Sequence, residues 1–167
     1  MSELYELSSP DRVTVGTTGV IGQRTFYLQA REGTTLVTLK VEKQQVGALA
    51  HHLGELLQDL ARPGELPSEE ELALEDFGEP EFIVGTLAVA YDVSLDRIML
   101  LLEERVDEDE SGDEARFAIS REQASALAIH GTQLVESGRP PCPLCGFPLD
   151  PRGHACPRTN GHQPPLR

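Results

Sequence analysis

Apolar and polar residues alternate along three short stretches near the front of the chain, "RVTVGT" (12–17), "RTFYLQA" (24–30) and "TLVTLKV" (35–41). They alternate again, less strictly, along "EFIVGTLAVAY" (81–91), "RIMLLLEERV" (97–106) and "EARFAIS" (114–120). β-Branched and aromatic residues, with glycine-bearing turns such as "REGT" between them, predict six strands. After each triplet the period changes. Val46, Leu49, Leu53, Leu56, Leu57 and Leu60 recur at helical spacing until "RPG" (62–64) stops the run. The second helix opens on Ser120, whose hydroxyl accepts from a first-turn amide while Gln123 reaches back to form a capping box, and it closes at Gly138.

The two helical stretches match each other. "VEKQQVGALAHHLGELL" (41–57) aligns at an offset of 78 with "ISREQASALAIHGTQLV" (119–135), pairing Gln45 with Gln123, Ala48 with Ala126, Leu49 with Leu127, Ala50 with Ala128, His52 with His130 and Leu56 with Leu134. "VGT" (15–17) recurs at 84–86, and "RTFYL" (24–28) has a looser counterpart in "RIMLL" (97–101), which sets Arg24 against Arg97. The expected fold is therefore α+β: duplicated βββα units, 1–62 and 82–138, sharing one antiparallel sheet or two packed sheets in a pseudo-two-fold relation. An acid-rich, proline-bearing linker (63–81) joins the units and a tail (139–167) follows. The linker and the loop "DEDESGDE" (107–114) have compositions that bury too little to order themselves, so both are expected to be solvated.

The chain's 167 residues suit one ordinary domain with an appendage. No apolar run nears the roughly 18 residues needed to span a bilayer, and "MSELYELSSPDRVTV" lacks the basic and apolar regions of a secretory leader, so a cytoplasmic protein is expected. The net charge is −14, but from Arg139 onward four arginines face one acid, Asp150, leaving +3 on the tail and −17 on residues 1–138. An acidic body repels phosphate backbones over a Debye length of about 10 Å, which argues against its gripping nucleic acid.

All three cysteines and two of the five histidines fall within "CPLCGFPLDPRGHACPRTNGH" (142–162). Cys142 and Cys145 have the C-x-x-C spacing at which two thiolates face one ion, Gly146 lets the backbone turn beneath it, and Cys156 supplies a third sulfur. His154, two residues before Cys156, lies on the same face of an extended segment and is the favoured fourth ligand; His162 is the alternative. The pattern points to a structural Zn²⁺ in a short zinc-ribbon-like tail. A redox dithiol would sit at a helix start, which Pro141, Pro143 and Pro148 disfavour. A deaminase-type catalytic zinc would need a glutamate two residues after a ligand histidine, and Cys156 stands there instead.

Other candidates have plainer readings. His51, His52 and Glu55 lack a second histidine at i+4, so His52 and its counterpart His130 are expected to be partly buried, hydrogen-bonded helix residues. "TVGTTGVIGQR" (14–24) lacks the G-K-[ST] ending of a phosphate loop and reads as turns between strands.

Together "GQRTFYLQAREG", "VEKQQVGALA", the second "VGT" and "GRPPCPLCGFPLDPRGHACPRTNG" resemble, over nearly the whole chain, an uncharacterised family common in actinobacteria and related bacteria. Its members bear domain-of-unknown-function or conserved-hypothetical labels. The resemblance implies a bacterial cytosolic setting, tail and body forming one unit, and no enzyme activity. The expected function is a non-enzymatic zinc-binding interaction or adaptor protein meeting a protein partner, a basic one by charge. The alternatives are a nucleic-acid-associated factor touching phosphate through the tail, and an enzyme with a site between the halves built from Arg24, Arg97, His52 and His130.

Overall fold

A computed structural model describes residues 2–20 and 22–137. In chain order these form β1 (Leu4–Leu7), β2 (Arg12–Thr18), β3 (Thr25–Glu32), β4 (Thr35–Val41), α1 (Lys43–Gln58), a 3-10 turn (Glu70–Leu72), β5 (Phe82–Asp92), β6 (Arg97–Glu104), β7 (Glu114–Ile119) and α2 (Arg121–Glu136). The six strands expected from alternation are present, each within two residues of its predicted bounds. The short strand β1 was not foreseen. α1 stops at Gln58, ahead of the Arg62-Pro63-Gly64 breaker, and the predicted close of α2 at Gly138 lies outside the described residues.

The strands make one seven-stranded sheet in the order β1-β7-β6-β5-β4-β3-β2. Contrary to the expected antiparallel arrangement, the sheet is mixed: β4 pairs with β5 and β1 pairs with β7 in parallel. The reason is connectivity. α1 and the segment after it carry the chain from the end of β4 back to the start of β5, a crossover that sets the two strands side by side in the same direction. β1 and β2 are joined by only four residues, Ser8–Asp11, yet stand at opposite edges. Six inter-strand steps of a flat sheet would separate those edges by about 29 Å, whereas five residues of chain reach at most about 18 Å. The sheet must therefore curl until its edges approach. The Asp11 amide donates to the Arg31 carbonyl at 2.7 Å and the Ser9 amide to Glu32 Oε1 at 2.6 Å, fastening the link across the end of β3.

The concave face holds the core. At every second position Phe26, Leu28 and Ala30 of β3, Val37, Leu39 and Val41 of β4, Ile98, Leu100 and Leu102 of β6, and Ala115, Phe117 and Ile119 of β7 are buried on this face. α1 adds Val46, Leu49 and Leu53, and α2 adds Ala124 and Leu127. Each fully buried leucine contributes about 1.5–3 kcal/mol relative to exposure. The helices cross at Gly131, where a methyl group would stand 3.5 Å from Ala50 Cβ and from Val46 Cγ1. α2 also follows the free edge of β2. Gln123 Nε2 donates to the Pro10 carbonyl at 2.8 Å, and His130 Nε2 donates to the Val15 carbonyl at 3.0 Å. A strand edge otherwise left with open acceptors is thereby closed.

Candidate functional site

Cys142, Cys145, His154, Cys156 and His162 all lie outside the described residues. The described residues show where the body delivers the chain to them. α2 ends beside Arg24, whose guanidinium donates to Ser137 Oγ at 3.1 Å and to the Leu134 carbonyl at 3.4 Å while lying 5.0 Å over the Phe26 ring. Beside that exit is a hollow of about 280 Å³ lined by Gly22, Arg24, Phe26 and the start of α1, Glu42 and Lys43.

Of the acid-rich segment 63–81, expected to be a solvated linker, residues 64–66 are exposed, but residues 70–81 are laid across the outer face of β2, β3 and β4. Thr14, Gln29 and Thr38 face outward on neighbouring strands at matched register and are buried without charge. Thr14 Oγ1 donates to the Leu72 carbonyl at 2.6 Å, and Gln29 accepts from the Glu75 amide at 2.8 Å while its Nε2 donates to the Glu75 carbonyl at 3.1 Å. Leu74 fills the space where a side chain at position 16 would stand; a Cβ on Gly16 would come within 2.4 Å of Leu74 Cγ. Phe77 meets Tyr27 edge-on at 4.7 Å between centroids.

Arg12 and Arg31 clamp this strap from the β2–β3 end. Arg31 Nε lies 2.9 and 2.8 Å from the two Glu75 oxygens, and Arg12 donates to the carbonyls of Glu70, Glu71 and Ala73. The Arg31 hydrogen bond, against some burial, holds the Glu75 carboxyl below its ordinary value of 4.5, and the same contact raises Arg31. The acids of the segment hid this role in the sequence. The available signal was the row of uncharged polar residues on the outward side of three consecutive strands.

Two clefts flank the strap. One of about 590 Å³ lies between Leu66, Pro67, Leu72 and Ala73 of the strap and Ala126, Ile129 and His130 of α2. Its wall is mostly apolar, and among the described residues that line it none is a serine, cysteine or threonine that His130 could activate. The other, of about 500 Å³, sits at the start of α2 and sets Arg97 among Asp11, Glu65, Glu71 and Glu122. The four side chains weighed for a site between the halves do not converge: Arg24 holds the end of α2, Arg97 and His130 line different clefts, and His52 is exposed on α1.

The expectation of a partly buried His52 is therefore corrected, because the buried stripe of α1 runs through Val46, Leu49, Ala50 and Leu53 and turns His52 outward. His130 is half-buried and hydrogen-bonded as expected. His51 meets Glu55 at 2.9 Å in an exposed i,i+4 pair. Among the described residues no three of His, Cys, Asp or Glu are grouped to hold a metal ion. Of the glycines of 14–24, Gly16 lies within β2, and Gly19 at φ 90° and Gly22 at φ 95° lie in the turn between β2 and β3. The acidic loop is solvated, residues 105–111 being exposed. No described helix is long and apolar enough to cross a membrane.

No curated protein and no solved structure matches this chain. One family model does, and it spans residues 5–156, from Tyr5 in β1 through α2 and, beyond the described residues, Cys142, Cys145, His154 and Cys156. With body and cysteine-bearing tail covered by a single match, the chain belongs to the family described as protein of unknown function DUF3090.

Proposed function

We propose that this protein is a non-catalytic interaction module of the bacterial cytoplasm, with a tail folded around one structural Zn²⁺. The observation that carries the reading is the gathering of every cysteine at C-x-x-C and ribbon-return spacing, with His154 beside Cys156. Three thiolates and an imidazole suit a tetrahedral divalent ion, and Arg152 and Arg158 offset the negative charge left over. His154, two residues before Cys156, is the fourth ligand of this reading, with His162 as the alternative. Bound metal would supply the order that Leu144, Phe147, Leu149 and Leu166 are too few to supply by burial. The body's −17 suits a basic protein partner.

Elemental analysis of freshly purified, reduced protein should find one zinc per chain, and Cys145→Ser should abolish it. Metal-free protein, or a disulfide between Cys142 and Cys145, would sink the reading. The tail's +3 favours a second reading, contact with nucleic acid phosphate. Binding whose logarithm falls with log salt at a slope of a few units supports it, and no retention at low salt removes it.

We further infer that the body arose by duplication. Support comes from the helices: both are 16 residues long and their first residues, Lys43 and Arg121, stand 78 apart. In each, the third-residue glutamine does two jobs. Gln45 Oε1 accepts from the Glu42 amide at 2.8 Å while Nε2 donates to the Val84 carbonyl at 3.1 Å. Gln123 Oε1 accepts from the Ser120 amide at 3.0 Å while Nε2 donates to the Pro10 carbonyl. The strand matches made from sequence need adjustment. Leu28 pairs with Leu39 and Leu100 with Phe117, so on the helices' offset Arg24 corresponds to Asp96 rather than Arg97. A slip of one residue would turn Met99 into the core in place of Ile98.

A further inference from the structure

The two halves of the sheet differ on their outer faces. The strap covers that face on β2–β4, whereas on the other half Ala88 and Ala90 of β5 are exposed and pair with the half-buried Leu101 and Met99 of β6. Ile83, 39% exposed, adds to this apolar band. Its border carries Glu6, Asp92, Glu103 and Glu114 against Lys40, Arg97 and Arg116, a slight excess of acid.

The strap's own path shows what fits there. On leaving α1 the chain passes the first residues of α2, where Arg121 donates to the Ala61 carbonyl at 3.0 Å and the Gly64 amide donates to Glu122 at 2.7 Å, and only then crosses β2 and β3. α2 in turn ends beside the first residues of α1, at the hollow lined by Glu42, Lys43 and Arg24. Lys43 stands at the head of α1 as Arg121 does at the head of α2. Both exits then begin alike, Arg62-Pro63 after α1 and Arg139-Pro140 after α2. The first exit segment, 59–81, seats Leu74 over Gly16 and Phe77 over Tyr27. The second offers Leu144, Phe147 and Leu149 and carries four arginines against one acid.

We propose that residues 139–167 follow the strap's path on the second half of the molecule: past Lys43 and across the outer face of β5 and β6, with Leu144, Phe147 and Leu149 over Ala88, Ala90, Met99 and Leu101. The proposal rests on the duplication inferred above and does not depend on the metal. It makes the tail the missing cover of this protein's own sheet.

The test is a photo-crosslinking residue, p-benzoylphenylalanine, in place of Ala90 in the full chain, with the same probe in place of Ile129 as a comparison. Ala90 points away from the core, so the probe needs no room inside it. Irradiation should give a product of monomer mass whose linked peptides map to 139–167, with tail peptides depleted several-fold more for the Ala90 probe than for the Ile129 probe. A product of doubled mass, tail peptides recovered in full, or preferential linkage at Ile129 would each overturn the docking. Tail linkage in protein shown to be metal-free would keep the docking and sink the zinc reading. Failure of linkage alongside equal effects of Gln45→Ala and Gln123→Ala would sink the docking and leave the duplication standing.

Discussion

Substituting Gly16 tests whether the acid-rich strap is seated as described, because the sign of the effect should depend on a residue far away in sequence. The three atoms nearest to a Cβ at position 16 all belong to Leu74: Cγ at 2.4 Å, Cδ1 at 2.7 Å and Cδ2 at 3.1 Å. In Gly16→Ala the leucine must leave its place. Leu74 is half-buried, so about half of the ~1.5–3 kcal/mol of a fully buried leucine is at stake, about 1 kcal/mol. Shifting the backbone of Leu72 and Glu75 away from Thr14 and Gln29 adds about 1 kcal/mol for hydrogen bonds made less well. Against this, alanine in a strand is favoured over glycine by about 0.5–1 kcal/mol. The net expectation is a loss of about 1–2 kcal/mol, a fall in Tm of roughly 2–8 °C for a chain of this size. In a Leu74→Ala background the clashing atoms are gone, and the same Gly16→Ala change should raise stability by about 0.5–1 kcal/mol. Urea unfolding of the four proteins of this cycle measures the coupling, expected at about 2 kcal/mol. If Gly16→Ala stabilises the otherwise unaltered chain, or the two changes simply add, Leu74 does not sit on Gly16.

The Glu75 carboxyl is held below 4.5 chiefly by the Arg31 hydrogen bond, so its contribution is complete above that value and lost as pH falls through the lowered native value; urea unfolding from pH 6 to 3 should show this loss, and Glu75→Gln should flatten it. Tyr5 is pushed up to about 12, first by burial and then by the neighbouring Glu3. It should supply a component of an ultraviolet titration that ionises near 12 and vanishes in Tyr5→Phe, beside that of Tyr91, which its hydrogen bond to Asp96 also raises. Stability should fall as pH rises above 10, where the unfolded side chain ionises first. Gln45→Ala and Gln123→Ala should each cost about 1–2 kcal/mol by chemical denaturation, and a clear inequality would count against the duplication. Gly131→Ala meets Ala50 and Val46 at the ordinary contact distance of 3.5 Å, so helix propensity should make it stabilising by up to about 1 kcal/mol, whereas Gly131→Leu should destabilise by overpacking.

The parts of the fold that could be read from sequence are those with local causes. Alternation located β2 to β7, and the Ser120–Gln123 capping box located the start of α2, because strand period and cap chemistry are set within a few residues. What escaped depends on distant partners. β1 is a four-residue "LYEL" whose strand character comes from pairing with residues 114–117. The parallel contacts arise from where the crossovers land. The strap looked solvated because composition counts its carboxylates, whereas its seat depends on Leu74 meeting a glycine and Glu75 meeting Arg31. His52 and His130 share a place in the aligned helices but not an environment, since only α2 follows an open strand edge. The spacing of Cys142, Cys145, His154 and Cys156 is all that carries the metal proposal, and it lies beyond residue 137, the last of the described residues.

The seam between β1 and β7 has a consequence for synthesis. Leu4 finds its partner at Glu114, so during translation at about 5–20 residues per second the amino-terminal strand waits roughly 5–20 s for its neighbour to be made. The β2–β3–β4 meander and α1 emerge complete in that interval, while Leu7 and the concave face around it stay open to water and to other nascent chains. Ribosome-bound intermediates stalled before residue 114 should therefore be the species that chaperones engage, and closure of the seam the event that releases them.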